Sequence, residues 1–440
     1  MFHPFSCVIA LCQAEVLALL LKPLDKVVKK FYGGVRSKGK LIEDNTVGAL
    51  VCTIEKANMI FTVMMEEHSL SKLGALIIDE LHLLGCPSRG FLLELLCTKL
   101  RFSTATATVQ DTVEDVTEIR EGVQVIGMSA TLSNIKEVAD WLGAKYFETD
   151  FRPAPLSEHI LDKCRLLDRN LNCVRVLQYP NAAWAQSDPE GIALLAKETT
   201  DAGHSILVFC PSRAVCEWVA EMICRHLGEL PEKPSKERAD TAAAAAAAAA
   251  LAAIEADLQG LPAPPAHTPN TRAAIMDQLI QVPGSGSNSG PHPILVNIMP
   301  KGVAFHHAGL SQEERAVVEA GYVGGAVRVL VCTPTMAMGV NLPARRVVFY
   351  RPFIPHPSSP ITPSQYRQMA GRAGRAGIDE AGEVILMALP RQPYTASSLV
   401  KLITEPVPPI TTCLVEGERG MTRALLEVSK TWKKLDMVMK

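Results

Sequence analysis

An acidic pair closing an apolar run, and two arginines three residues apart, are the parts of this sequence with most chemical reach. LGALIIDELHLLG sets Asp79 and Glu80 directly after a buried-looking stretch. At such a strand end one carboxylate can hold magnesium through water while its neighbour polarises an attacking water. In QMAGRAGRAG, the spacing of Arg372 and Arg375 lets both face one way on a helix or tight turn. A third stretch, GVRSKGKLI from Gly34 to Ile42, approaches the phosphate-loop pattern G-x-x-x-x-G-K-[ST]. Gly34, Gly39 and Lys40 fit that pattern, but Leu41 stands where the magnesium-binding hydroxyl belongs. Each feature also has a plain explanation: a solvent-facing acidic pair, or a glycine-rich surface helix with solvated arginines. Order and context have to decide.

The elements that would position these residues read as α/β. GALVCTI (Gly48 to Ile54), LGALIID (Leu73 to Asp79) and VQVIGMS (Val123 to Ser129) are short unalternating apolar runs with helical segments between them. That pattern predicts buried parallel strands. WLGAKYFETDFRPAPL reads as a last short strand leaving the domain through a proline-containing connector near Arg152 to Pro155. KVVKKFY, ahead of GVRSKGKLI, makes a poor interior strand. A second series of strands begins at HSILVFC, is followed by the helical RAVCEWVAEMICRHL, and runs through GVAFHHAG, VRVLVCT, ARRVVFY and GEVILMAL. Two similarly built halves predict a two-lobed α/β protein. Residues 231–290 hold PEKPSKERAD, nine alanines from Ala242, PAPPAHTP and PGSGSNSG, an insertion whose flanks are not expected to support a core. After residue 400, TEPVPPI precedes the amphipathic MTRALLEVSKTWKKL.

Bulk properties narrow the field less. The 440 residues suffice for two or three domains, and the formal net charge of -2 requires any basic groove to be local. The 12 cysteines form no C-x-x-C pair, and Cys52, Cys210 and Cys332 sit in strand-like runs, so buried free thiols in a reducing compartment are expected. Gln13 and Glu15 interrupt the greasy opening segment, which argues against a spanning helix.

DELH, then GMSATLSN about 50 residues on, then QMAGRAGRAG, together resemble a superfamily 2 Ski2-like DNA helicase. The likeness is greatest to the branch containing HelQ and the helicase domain of DNA polymerase theta. CTIEKAN, IIDELHLLG, MSATLSN, FRPAPL, VFCPSR, AFHHAGL, TPTMAMGVNLPARRV and YRQMAGRAGRAGID occur in the family's order and cover most of residues 20–430. The resemblance implies two RecA-like parallel-sheet lobes that bind ATP and Mg2+ between them. Its expected boundaries are a partial ATP-binding lobe over 1–152, a C-terminal lobe over 156–398 carrying the insertion at 231–290, and the start of a mostly helical winged-helix-like domain over 399–440. The family's phosphate loop lies further upstream of DELH and follows a buried strand. GVRSKGKLI is therefore read as a decoy, and the first lobe as incomplete.

By the same resemblance Asp79 and Glu80 are catalytic, with Arg375 as the arginine finger and Arg372 also on the phosphates. Gln368 contacts the nucleotide or its water, and His82 and Gly339 assist at that interface. Ser129 and Thr131 couple nucleotide state to the lobes. Thr53, His306, His307 and Thr333 line the nucleic-acid path. The implied activity is 3′ to 5′ DNA unwinding in repair, in the nucleus, with single-stranded or forked DNA, repair or replication-fork proteins as partners, and no membrane. Helicase motifs grip mostly backbone, so a Ski2-like RNA helicase stays open as an alternative. A non-catalytic nucleic-acid-binding or regulatory fragment does too. Adjacent histidines alone do not make a metal site, because HHAG lacks C-x-x-C or H-E-x-x-H support. Arg345 and Arg346 in NLPARR are read as structural or electrostatic.

Overall fold

A computed structural model describes residues 17–31, 47–67, 69–86, 90–110, 123–130, 132–149, 151–152, 154–228, 230, 272–284, 290–334, 342–355, 358–374, 379–389, 394–414, 421–422 and 424–426. The chain divides into two units, Met1–Thr149 with Pro406–Lys440, and Asp150–Glu405. Both are mixed α/β with parallel strands, the architecture of helicase-like lobes. GVRSKGKLI, the alanine tract and most of residues 415–440 lie outside the described residues.

In the first unit, strand β1 (Val27–Phe31) pairs in parallel with β2 (Val47–Cys52). VVKKF, in the segment read as a poor interior strand, buries only Phe31. Helix α1 (Ile54–Glu66) follows, then β3 (Ala75–Ile78), a 3-10 turn (Leu81–Gly85), α2 (Gly90–Gln110), β4 (Gln124–Gly127) and α3 (Ile135–Leu142). Phe61 of α1 packs with Leu96 and Leu100 of α2. Asn58, buried in the same interface, donates to the Leu92 carbonyl at 2.7 Å. Gly143 ends α3 in the left-handed region. The strand expected after it does not form over residues 144–149, where Phe147 is 89% exposed.

The second unit is built on one eight-stranded sheet. Its elements are β5 (Leu156–Asp162), β6 (Arg165–Leu167), β7 (Cys173–Val176), α4 (Ile192–Asp201), β8 (Ile206–Phe209), α5 (Arg213–Leu227), α6 (Arg272–Gln281), β9 (Val303–His306), α7 (Gln312–Val323), β10 (Val329–Cys332), β11 (Arg346–Phe349), a short β12–β13 pair (Phe353–Pro355, Ser358–Pro360), α8 (Pro363–Ala370), β14 (Gly382–Met387) and α9 (Ala396–Thr404). Strand order is β7-β6-β5-β14-β11-β8-β10-β9. The run from β5 to β9 is parallel, and β6 and β7 extend it antiparallel. Every residue of β8, β9, β10 and β11 is buried, as a parallel sheet covered on both faces requires.

Two boundaries differ from expectation. Within 231–290, α6 buries Ile275 and Leu279, and its Arg272 donates to the Ala326 carbonyl from Nε and Nη2. Apolar residues four apart form a helical face even beside biased sequence, so this part of the interval does join the core. The boundary expected at 399 falls inside α9, whose Leu399, Leu402 and Ile403 are buried in the second unit. The chain returns to the first unit only at Pro406.

Candidate active site and nucleic-acid face

In the first unit, β3 and β4 run in parallel with Ile78 opposite Gly127. Beyond that register Met128 donates to the Ile78 carbonyl and accepts from the Leu81 amide, both at 2.8 Å. The MSAT segment is therefore stitched by main chain to the DELH turn, which puts Ser129 next to it. Thr131 lies outside the described residues. Gly127 permits this approach, because a Cβ there would stand 2.7 Å from a Leu81 methyl.

Asp79 is exposed and Glu80 half-buried. Asp79 Oδ1 accepts the Glu80 amide at 2.9 Å. Glu80 has a φ of 55°, a left-handed conformation that is strained for a side-chain-bearing residue. Leu81 and Leu84, buried beneath the turn, hold it in place. The His82 side chain is 9% exposed, with Nδ1 3.3 Å from Glu80 Oε2, yet neither ring nitrogen has a hydrogen-bond partner among the described residues. Burial lowers its pKa, and the Glu80 and Asp79 charges only partly offset that, so the ring is neutral near pH 7. Hard carboxylate oxygens at an open strand end fit a hydrated Mg2+. Among the described residues no cluster of three or more metal-ligating side chains occurs, so any such ion would rest on the acidic pair and water.

Thr53 follows β2 and stands at the N-cap of α1 without a side-chain capping bond. It offers a helix N-terminus and a hydroxyl that the helix does not use.

The second unit separates its expected residues to opposite edges of the sheet. Register pairs His306 with Cys332 and Cys332 with Phe209, so the residues after β8, β9 and β10 share the C-terminal edge. Thr333 and His307 lie there. The turn after α8 lies at the other edge: Ala344, two residues before β11, bridges Ala373, donates to the Arg372 carbonyl at 2.9 Å and accepts from Gly374 at 2.7 Å. Gln368 and Arg372 are four apart along α8 and this turn. Arg375 and Gly339 lie outside the described residues. Tyr366 fixes α8 by donating to Glu158 of β5, and Arg152 donates to the Ala373 carbonyl at 2.7 Å.

His306 and His307 do not present side chains to a strand path here. They are 0% and 2% exposed. His306 pairs with Glu319 at 2.7 Å. His307 Nδ1 accepts the Gly309 amide, which leaves its proton on Nε2 to donate to Glu217 at 3.0 Å. Burial lowers both pKa values against the raising effect of the glutamates. Both rings thus shape the HHAG turn from inside. Thr333 is likewise buried at the end of β10.

Arg346, read from the sequence as structural or electrostatic, is both. It is 8% exposed on β11 and anchors a network. Its Nε donates to Glu383 at 2.6 Å, Nη1 to Thr199 Oγ1 at 2.8 Å and the Leu195 carbonyl, and Nη2 to Glu198 at 2.8 Å. Glu198 also takes both Nη atoms of Arg175.

The α8 turn depends on close main-chain approach. Gly374 has φ +82°, and an added Cβ would stand 3.0 Å from the Ala154 Cβ and from Gly382. Gly374→Ala is expected to destabilise the second unit by about 1–3 kcal/mol through left-handed strain and contact, seen as a lower urea midpoint with unchanged slope.

Comparisons with known proteins bear on the family. The DEAD/DEAH box helicase family matches residues 8–138, and the helicase conserved C-terminal domain family matches residues 294–377. The class is that of a superfamily 2 helicase. More narrowly, the chain is related to Hel308 and POLQ-like helicase domains. It is 37% identical to DNA polymerase theta of Mus musculus over 86% of this chain and 14% of that protein. It is 32% identical to Helicase POLQ-like of Homo sapiens, over 81% and 28%. With the ATP-dependent DNA helicase Hel308 of Pyrobaculum calidifontis it shares 33%, over 72% and 37%. The chain therefore spans well under half the length of these relatives.

Proposed function

We propose that this chain is the motor portion of an ATP-dependent DNA helicase that moves 3′ to 5′ and serves DNA repair in the nucleus. The observation that carries the reading is the strained acidic turn beyond β3, stitched to MSAT through Met128. Asp79 would hold Mg2+ through water, and Glu80 would orient and polarise the water that attacks the ATP γ-phosphate. The ion supplies charge neutralisation on the phosphates. Arg372 and Arg375 would stabilise the developing phosphoryl charge, with Gln368, His82 and Gly339 contacting nucleotide or its surroundings. Ser129 and Thr131, which follow Met128 in MSAT, would relay nucleotide state. Thr53, with its helix N-terminus, and the main chain around His307 and Thr333 would hold strand phosphates without reading bases. Separation of the Arg372 turn from the HHAG edge across β11 supports that division of labour. Single-stranded or forked DNA would be the substrate, with fork or repair proteins as partners.

ATP turnover on matched poly(dT) and poly(U), with unwinding of a forked duplex, tests the reading. Stimulation by poly(U) alone would replace it with RNA unwinding. Robust turnover abolished by Lys40→Ala would make GVRSKGKLI the phosphate loop.

A further inference from the structure

The chain that leaves the second unit as EPVPPITTCL does not start a separate body at once. Residues 407–413 lie on the first unit, and their burial repeats every third residue. Val407 is buried, Ile410 and Cys413 are half-buried, and Pro406, Pro408, Pro409, Thr411 and Thr412 are exposed. A period of three is that of a polyproline II helix, and the prolines fix φ before docking, which lowers the ordering entropy. Ile410 packs onto the core cluster of Ile78, Leu81, Leu84 and Val138.

Polar groups on the first unit read the main chain of this strap. Asn134 occupies the N-cap position of α3 but makes no capping bond, although capping is the usual use of Asn there. Its carboxamide instead takes both main-chain groups of one residue, accepting from the Ile410 amide and donating to the Ile410 carbonyl, each at 2.9 Å. Glu94 of α2 accepts from the Cys413 amide at 2.7 Å and from the Thr412 hydroxyl. The Cys413 thiol donates to the Leu84 carbonyl at 3.2 Å. An open cavity of about 220 Å3 remains beside Ile410, lined in part by Leu84, Val138 and Trp141.

We propose that the surface formed by the Leu81–Gly85 turn, α2 and α3 is a polyproline-type peptide-recognition groove whose ligand is this chain's own Val407–Cys413. Asn134 and Glu94 supply the main-chain contacts, and Val407, Ile410 and Cys413 form the docked face. The unfilled space and the small number of anchors make the strap a separable ligand rather than an inseparable part of the core. MSATLSN, through Asn134, becomes the attachment point for the chain beyond residue 414. This reading is independent of nucleotide chemistry and of the proposed motor function.

The test uses the full chain with Val407→Ser and Ile410→Ser to free the groove. A fluorescein-labelled peptide of residues 405–415 is expected to bind that variant saturably, and the wild-type chain at least tenfold more weakly because its groove is filled. Adding Asn134→Ala to the variant should weaken peptide binding about tenfold, the scale of a net hydrogen-bond loss. No saturable binding, or equal binding of a scrambled peptide, overturns the proposal. Should the double variant fail to fold, amide exchange decides in the otherwise wild-type chain. Asn134→Ala is expected to speed exchange at Ile410 and Cys413 about tenfold while α2 stays protected. Unchanged exchange at those amides, or equal loss across α2, overturns it.

Discussion

Glu80→Gln is expected to leave nucleotide affinity within about twofold of wild type and to slow hydrolysis by about 10²–10⁴-fold, the range for loss of a positioned general base. The measurement is single-turnover ATP cleavage, with nucleotide binding followed in parallel, in a preparation that turns over ATP. The amide keeps the shape of the side chain and the left-handed turn but loses the carboxylate that polarises water. A companion variant isolates the strain. Glu80→Gly removes the Cβ penalty at φ 55°, so it is expected to be at least as stable as wild type while remaining inactive. Wild-type turnover in Glu80→Gln would remove Glu80 from the chemistry.

The second large effect concerns stability. Arg346→Met is expected to destabilise the second unit by about 3 kcal/mol, the lower end for breaking a buried pair, since solvent reaches Glu198. Removing the guanidinium leaves Glu383 opposite a thioether in the β11–β14 register and strips Glu198 of one of two arginines. The pH dependence follows from Glu198. Burial alone would raise its pKa, but hydrogen bonds from Arg175 and Arg346 overcome this and hold it below the ordinary glutamate value. Its contribution is therefore complete above the unfolded pKa and is lost as pH falls through the depressed folded value. Chemical denaturation from pH 7 down to pH 3 should show that acid loss in wild type and a flatter profile in Arg346→Met. Identical profiles would mean the network carries no linked stability.

What could be read from the sequence was what the chain expresses locally. HSILVFC, VRVLVCT and ARRVVFY were legible because strands buried on both faces are unbroken apolar runs. The β6 and β7 pair was not, since β7 is an exposed edge whose Arg175 and half-polar pattern mimic a loop. WLGAKYF misled for the opposite reason: its residues suit a strand but end a helix instead, with Gly143 as its left-handed stop. In the site, the DELH turn could be placed from its motif, whereas the strain at Glu80 and the stitching by Met128 are properties of the folded backbone. The histidine pair shows the limit of motif reading, for a strip of sequence names residues without saying whether they point inward. Asn134 and Ile410 stand 276 positions apart, and nothing in either neighbourhood announces the other.

That separation also sets an order of events during synthesis. The first unit lacks Ile410 against its core until that residue has left the ribosome, whereas the second unit holds all its described strands by Met387. At about 5–20 residues per second, the earlier-made lobe waits tens of seconds for its last piece while the later-made lobe is closing. The surface around Leu84 and Trp141 is therefore open throughout that interval, and a nascent chain stalled before residue 406 would display it. Chaperone engagement of such stalled chains should concentrate there, on the earlier-made of the two units.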